Sequence, residues 1–377
     1  MSHSPDQPGR IIAHLDMDAF FAAIEERDTP RFRGLPLVVG ADPRGGQGRG
    51  VVSTSNYLAR EYGIHSATPI AKAWRLSESA TRRGKPPVVF LSVDMCKYRE
   101  VSDRVMTLMH RFAPVVEQAS IDEAYLDLSS TGSYEEAAAV CGQLKASIRT
   151  EESLTASIGI GPNKLVAKIA SSARKPDGLT VVTDEQAEAF LAPLSVRAIP
   201  GIGPKTEAAL AKRGIRLVKD LKPFTREELR DHFGKWGLTL YDEIRGRDDS
   251  PVMEEYEVKS IGEQETFGQD TLDSTILTDR LSEMCQGVIR RLGAAGLTRF
   301  RTIVLTVRFA DFETKSRSYT LPGPAGDVRT VQVESMKLLL PFLDRRENPK
   351  KKLIRLLGVR LEKLGRNQEN EELLPFS

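Results

Sequence analysis

The stretch HLDMDAFFAAIEER, residues 14–27, sets two acids, Asp16 and Asp18, one residue apart in an apolar run and continues directly into two phenylalanines. Extended back to residue 11, the pattern alternates. Ile11, Ala13, Leu15 and Met17 fall on one face of a strand, and His14, Asp16 and Asp18 on the other. The expected element is a strand with one packed face and one working face, followed by a helix beginning in AFFAAIEER.

Working outward, PLVVG at 36–40 reads as a strand ending in the Gly-rich loop ADPRGGQGRG, and VVSTS as a second strand leading into a helical NYLAREYG. PVVFLSV is a further strand. Val101, Val105, Leu108 and Phe112 then recur at helical spacing. Strands flank ASIDEAYLDL, residues 134–151 read as a helix, and LTASIGIG returns as a strand. Strands interleaved with helices predict an α+β core. Beyond residue 183 short helices surround PGIGPKTEAALAKRGI, and the charged RGRDDSPVMEEYEVKS reads as a linker. RTIVLTVRFAD, SRSYTL and LIRLLGVRLEKL as strands, with helices at 274–293 and 330–343, predict a second, smaller α+β domain.

A length of 377 residues suits roughly two to four domains. No apolar run approaches the ~20 residues that cross a bilayer, and the polar start MSHSPDQPGR lacks the apolar centre of a secretory signal, so a cytoplasmic location is expected. Cys96, Cys141 and Cys285 are odd in number and far apart, which predicts reduced packing residues. The five histidines show no metal-ligand spacing. The net charge of +2 is unevenly spread: residues 258–364 hold 19 Lys/Arg against 13 Asp/Glu, which suits a polyanion partner.

A second acidic cluster, QASIDEAYLDLS, sets Asp122 beside Glu123. Neighbouring strand residues point to opposite faces, so both acids serve one site only at a hairpin tip or bulge. Beside an acid of the first strand they would concentrate negative charge, at a free-energy cost that hard divalent cations, above all Mg²⁺, offset. Two such ions held by shared carboxylates perform phosphoryl chemistry.

Taken together, LDMDAFFAAIEER, STSNYLAREYG, ASIDEAYLDLS, SIGIGPNKLVAKIASSARKPDG and PGIGPKTEAALAKRGI resemble, in this order, the Y-family translesion DNA polymerases, most closely the bacterial DNA polymerase IV group. The resemblance runs from about residue 11 to residue 364. It implies an α+β multidomain right-hand polymerase. The palm would comprise 11–19 and 91–182, small fingers 20–90, a helical thumb with a helix-hairpin-helix 183–246, a linker 247–257, an α+β little finger 258–364 and a flexible tail 365–377.

By position, the resemblance makes Asp16, Asp122 and Glu123 the catalytic metal-binding carboxylates for two Mg²⁺ ions, with the Met17 carbonyl as a further ligand and Asp18 a recurrent acid that is not a ligand. Phe21 would be the steric gate against a ribose 2′-hydroxyl, with Phe20 a core residue. Thr54, Tyr57, Arg60 and Lys175 would contact the triphosphate, and Val52 and Ser53 would roof the nascent base pair. Arg offers phosphate a planar fork and Lys a point charge. Tyr57 and Arg60, three apart, share a helix face.

The implied activity is low-fidelity, template-directed DNA synthesis in damage tolerance, with primer-template DNA and deoxynucleoside triphosphates (dNTPs) as partners, by a nucleoid-associated monomer. Gly201, Gly203 and Lys205 in PGIGPKT would meet a DNA phosphate. Glu372–Phe376 loosely resemble a sliding-clamp peptide, although the usual Gln is missing and Pro375 is atypical. Two alternatives remain: a two-metal repair nuclease, which needs neither Phe21 nor the Tyr57/Arg60 face, and an inactive DNA-binding scaffold, which would not need all three acids.

Overall fold

The structure, a computed structural model, describes residues 9–366 apart from 256 and 345. The clamp-like peptide Glu372–Phe376 lies outside the described residues. The chain divides into two compact units, Met1–Glu255 and Tyr256–Ser377.

The first unit opens with β1 (Ile12–Met17) and α1 (Phe20–Asp28), then β2 (Leu37–Gly40), β3 (Val52–Ser55), the single-turn α2 (Tyr57–Arg60), α3 (Ile70–Thr81) and β4 (Val89–Ser92). There follow α4 (Met95–Met109), β5 (Val116–Gln118), β6 (Glu123–Asp127), α5 (Tyr134–Glu152), β7 (Ala156–Gly161), α6 (Lys164–Ala173) and β8 (Leu179–Val181). One sheet has the order β5-β6-β1-β7-β8, the other β3-β2-β4. β1 is central and antiparallel to β6 and β7, while β7 and β8 are parallel and joined by α6, the crossover a parallel pair needs.

Both faces of β1 are covered, which corrects the expectation of one working face. Ala13, Leu15 and Met17 pack with Val101 and Val105 of α4 and Leu144 and Ile148 of α5. On the other face Ile12 and Tyr125 meet Ala167 of α6. His14 is fully buried there, its Nδ1 2.8 Å from Ser171 Oγ of α6. Only the last turn of that face, at Asp16, stays partly open. Helix and sheet approach so closely that a Cβ on Gly159 would lie 2.1 Å from the Ala167 carbonyl oxygen.

In the three-stranded sheet, Val38 and Val52 are buried against Ala59, Ile70 and Ala73. Val52 is therefore a core residue rather than part of a roof; the alternation of β3 turns its neighbour Ser53 the other way. β4 pairs with β2 through Ser92, so residues 91 and 92 belong to this sheet and not to the five-stranded one.

Next, α7 (Asp184–Leu191), α8 (Pro204–Ala211), α9 (Arg226–Phe233) and α10 (Lys235–Glu243) surround Val196, Ile202, Leu210, Leu229 and Leu240. Glu243 in α10 keeps a buried Oε2 without a hydrogen-bond partner, and burial together with Asp248 and Asp242 pushes its carboxyl up to about 7. Charging it therefore costs the fold stability. The cost is absent below pH 4.5, grows as pH rises to 7 and is constant above. Glu243→Gln is expected to stabilise the protein by on the order of 1 kcal/mol at pH 8, allowing for solvent screening, and to lose that advantage toward pH 4.5. Thermal midpoints across that range check it; an advantage independent of pH would contradict it.

The segment read as a linker is bonded in its first half to β5, α6 and the residues before β1. Arg10 donates to Ser250 O at 2.6 Å, Asp248 Oδ2 accepts from Leu165 N at 3.2 Å, and Met253 N donates to Glu117 Oε2 at 2.9 Å. Val252 packs with Ile12, Tyr125 and Ala167.

The second unit contains β9 (Ser260–Thr271), α11 (Ser274–Ala294), β10 (Phe300–Phe309), β11 (Thr314–Ala325), α12 (Val328–Leu343) and β12 (Ile354–Glu362), with sheet order β11-β10-β12-β9. Leu281, Val288, Val331 and Leu339 of the helices cover Ile303, Leu305, Leu357 and Val359. All three cysteines are free, and among the described residues no helix is long and apolar enough to cross a membrane.

Candidate active site

The acids expected to work together converge through strand register. Asp16 is the cross-strand partner of Glu123, and one residue on Met17 N donates to Asp122 O at 3.0 Å. Asp122 sits at the tip of the β5–β6 hairpin. There Ala119 N and Ser120 N both donate to Glu123 O (3.0 and 3.1 Å), and Ser120 Oγ accepts from Glu123 N at 3.0 Å while donating to Asp122 Oδ1 at 2.6 Å. Ser120 thus shapes the tip, a role the sequence reading did not assign.

Two lysines neutralise the acids. The Lys175 ammonium pairs with Asp16, and Lys168 Nζ donates to Glu123 Oε2 at 2.5 Å. The His14 ring, its Nε2 3.6 Å away, and then the Lys168 ammonium hold the Glu123 carboxyl down at about 2. Asp16 goes the other way: burial raises its pKa despite Lys175, and Glu123 adds to the rise. Burial lowers the His14 pKa and keeps its ring neutral. Lys168 was missed, although Lys164 and Lys168 lie one helical turn apart and Lys164 pairs with Glu117 of β5 at 2.5 Å in the same way.

Among the described residues no three His, Cys, Asp or Glu side chains are gathered closely enough to hold a metal ion. Asp122 is turned to Ser120, and the other two acids hold ammonium groups. The donor set nonetheless fits a hard cation: three carboxylates stand at one open sheet end, and positive charge already sits on two of them.

Asp18 is the hub of the site. Its carboxylate is buried and accepts from Thr155 Oγ1 and Ser157 Oγ, both at 2.8 Å, from Asp177 N at 2.7 Å and from Tyr57 Oη at 3.3 Å. It thereby fastens β7, the loop carrying Lys175 and helix α2 to the end of β1. Burial and Asp18 push the Tyr57 phenol up to about 12, so it stays a donor.

Arg60 lies over the Tyr57 ring at 4.5 Å and donates through Nε to Ser55 O at 3.1 Å, which bears out the shared face. Asn56 caps α2: its Oδ1 accepts from Ala59 N and Leu37 N, both at 2.9 Å. Thr54, half-buried, stands opposite Val39. Phe20 is core, whereas Phe21 is partly exposed and stacks on Tyr98 with ring centroids 4.2 Å apart.

Gly201, Gly203 and Lys205 stand apart from the acids, in the helical segment. Gly201 has φ +91°, Gly203 precedes α8, and Lys205 is exposed. Buried Ile202 anchors the turn, and Arg197 Nη1 donates to its carbonyl at 2.8 Å.

Three family descriptions match the chain: the impB/mucB/samB family over residues 15–172, the DNA polymerase-iota thumb domain over 197–248 and the impB/mucB/samB C-terminal domain over 258–373. The chain is 44% identical over 355 residues to the DNA polymerase IV of Methanoculleus marisnigri, covering 94% of each. It is 43% identical to DNA polymerase IV 2 of Methanosarcina mazei, covering 97% of this chain and 95% of that one. The chain belongs to the Y-family DNA polymerases.

Solved structures agree. A Y-family DNA polymerase chimera superposes with TM-score 0.80 at 27% identity over 95% of this chain and 100% of that one. An insertion ternary complex of Dbh DNA polymerase gives 0.65 at the same identity and coverage. The fold is that of the Y family: palm and fingers, a helix-hairpin-helix thumb and a C-terminal little finger. The chain is a DNA-directed DNA polymerase of the translesion type, and its chemistry is metal-dependent.

Proposed function

We propose that the enzyme binds primer-template DNA and dNTPs and joins the α-phosphate to the primer 3′-hydroxyl with release of pyrophosphate, at low fidelity. Asp16, Asp122, Glu123 and the Met17 carbonyl would hold two Mg²⁺ ions. When bound, these would lower the pKa of the primer hydroxyl and stabilise the leaving oxygens. The observation that carries the reading is the cross-strand pairing of Asp16 with Glu123, each matched by a lysine.

Lys175, Arg60, Tyr57 and Thr54 bind and orient the triphosphate; Tyr57, tied to Asp18, holds the fingers to the palm as it does so. Phe21, backed by Tyr98, fills the space of a 2′-hydroxyl. Gly201, Gly203 and Lys205 hold a DNA phosphate, and the basic little finger follows the duplex backbone. The domain limits proposed are those of the sequence reading, with the fingers sheet extended through Ser92. The proposal also covers a monomer acting at the nucleoid, with Glu372–Phe376 docking on a sliding clamp.

Primer extension with Mg²⁺ tests it. Wild type should lengthen the primer and Asp122→Ala should not, with DNA binding retained; Phe21→Ala should admit ribonucleotides. Metal-dependent shortening of the primer would instead indicate a nuclease, and no extension despite DNA binding would sink the reading.

A further inference from the structure

The fingers carry a second basic surface that the reaction site does not use. Dividing the charge more finely than the C-terminal excess suggested, residues 20–90 hold eleven Lys/Arg against six Asp/Glu, and between residues 62 and 93 five Lys/Arg face a single acid, Glu78. Their arrangement follows from α3. Ile70, Ala73, Ser77 and Ala80 are buried at helical spacing, so Lys72, Arg75 and Arg82 point outward, with Arg83 and Lys85 just beyond the helix end, all exposed. From Lys72 to Arg83 the stripe extends about 16 Å.

Three of these cations meet neutral groups. Arg75 Nε donates to Ala71 O at 3.2 Å, Arg83 Nη1 to Ser79 Oγ at 2.8 Å, and Lys85 lies 5.2 Å from the centre of the Tyr62 ring. None of Lys72, Arg75, Arg82, Arg83 and Lys85 is in an ion pair among the described residues. Some exposed cations of the first unit do find acids, as Arg226 finds Asp242 at 3.0 Å and Arg111 finds Glu151 at 3.0 Å. The positive field of α3 is thus left unneutralised.

The stripe is continuous with the strand that bears Thr54. Ile70 N donates to Gly50 O at 3.0 Å, Val51 bridges to Pro69, and the loop bearing exposed Arg44 packs so tightly that a Cβ on Gly46 would lie 2.9 Å from Trp74 Cδ1. Trp74 and Tyr62 remain partly exposed beside the cations. Basic side chains interleaved with accessible aromatic faces suit unpaired nucleic acid, whose phosphates and bases they meet together.

We propose that Arg44, Lys72, Arg75, Arg82 and Arg83 form a track on the fingers for the single-stranded template ahead of the primer end. The inference rests on the reading that the enzyme binds primer-template DNA. The test uses the full chain and its variant Lys72→Ser/Arg75→Ser/Arg82→Ser/Arg83→Ser, with fluorescent primer-templates bearing either a single-nucleotide or a long 5′ overhang.

Wild type should bind the long overhang more tightly. The variant should lose that gain and show a log–log salt dependence shallower by about 2–3. On the short overhang both should bind and extend alike. A gain retained by the variant, no gain in wild type, or an equal loss on both substrates would overturn the track. Extension of the short-overhang primer by wild type reports separately on the polymerase reading.

Discussion

Asp16→Asn is expected to reduce nucleotide incorporation by on the order of 10³-fold while leaving DNA affinity unchanged. Asp16 sits at the one open end of a strand otherwise sealed on both faces, opposite Glu123 and against Lys175. The amide keeps the shape and removes the charge, so the fold should tolerate it. On the proposed reading, what is lost is an anionic metal ligand, together with the counter-charge that pairs with Lys175. Single-turnover incorporation measured beside anisotropy with primer-template separates the two effects. A variant with near wild-type incorporation would remove Asp16 from the chemistry.

Asp18→Ala should be damaging in a different way. Four donors lose their shared acceptor, among them the hydroxyls of Ser157 in β7 and of Thr155 just before it, both at 2.8 Å, and the Asp177 N–H at 2.7 Å. Stranding buried donors costs about 1–3 kcal/mol each, so a loss of about 3 kcal/mol or more is expected. The Lys175 loop and Tyr57 both lean on this carboxylate, so KM for the incoming nucleotide should also rise severalfold. Denaturant midpoints and steady-state kinetics check the pair of effects. Destabilisation without any change in KM would make Asp18 a structural acid only.

Much of this was legible in the sequence. Strong alternation in IIAHLDMD, long helical stripes and the acidic tip ASIDEAYLDL predicted the elements that bring Asp16 to Glu123. Where the reading failed, tertiary contacts had intervened. His14 looked like a working-face residue because periodicity cannot reveal that α6 crosses that face. RGRDDSPVMEEYEVKS reads as a linker, and its charges gave no hint of the bonds its first half makes to Glu117 and Leu165.

Edge strands were the other weak point. β9 was not expected and β11 only in part, since each lies at a sheet edge with mostly exposed side chains, and glycines or prolines interrupt the apolar alternation. Lys168 and Ser120 were missed for a related reason: the partner of Lys168 lies on another element, and Ser120 meets Asp122 and Glu123 only once the hairpin tip is folded.

The contact at Gly159 carries a consequence for the chemistry. Helix α6 bears Lys168 in its middle and leads to Lys175 two residues past its end, and those are the cations that meet Glu123 and Asp16. With no side chain between strand and helix at this point, nothing there can compress to absorb an error in spacing. A displacement of one methyl diameter here would move the helix that carries Lys168 and leads to Lys175, so the smallest side chain in the strand fixes the spacing from which two ammonium groups reach Glu123 and Asp16.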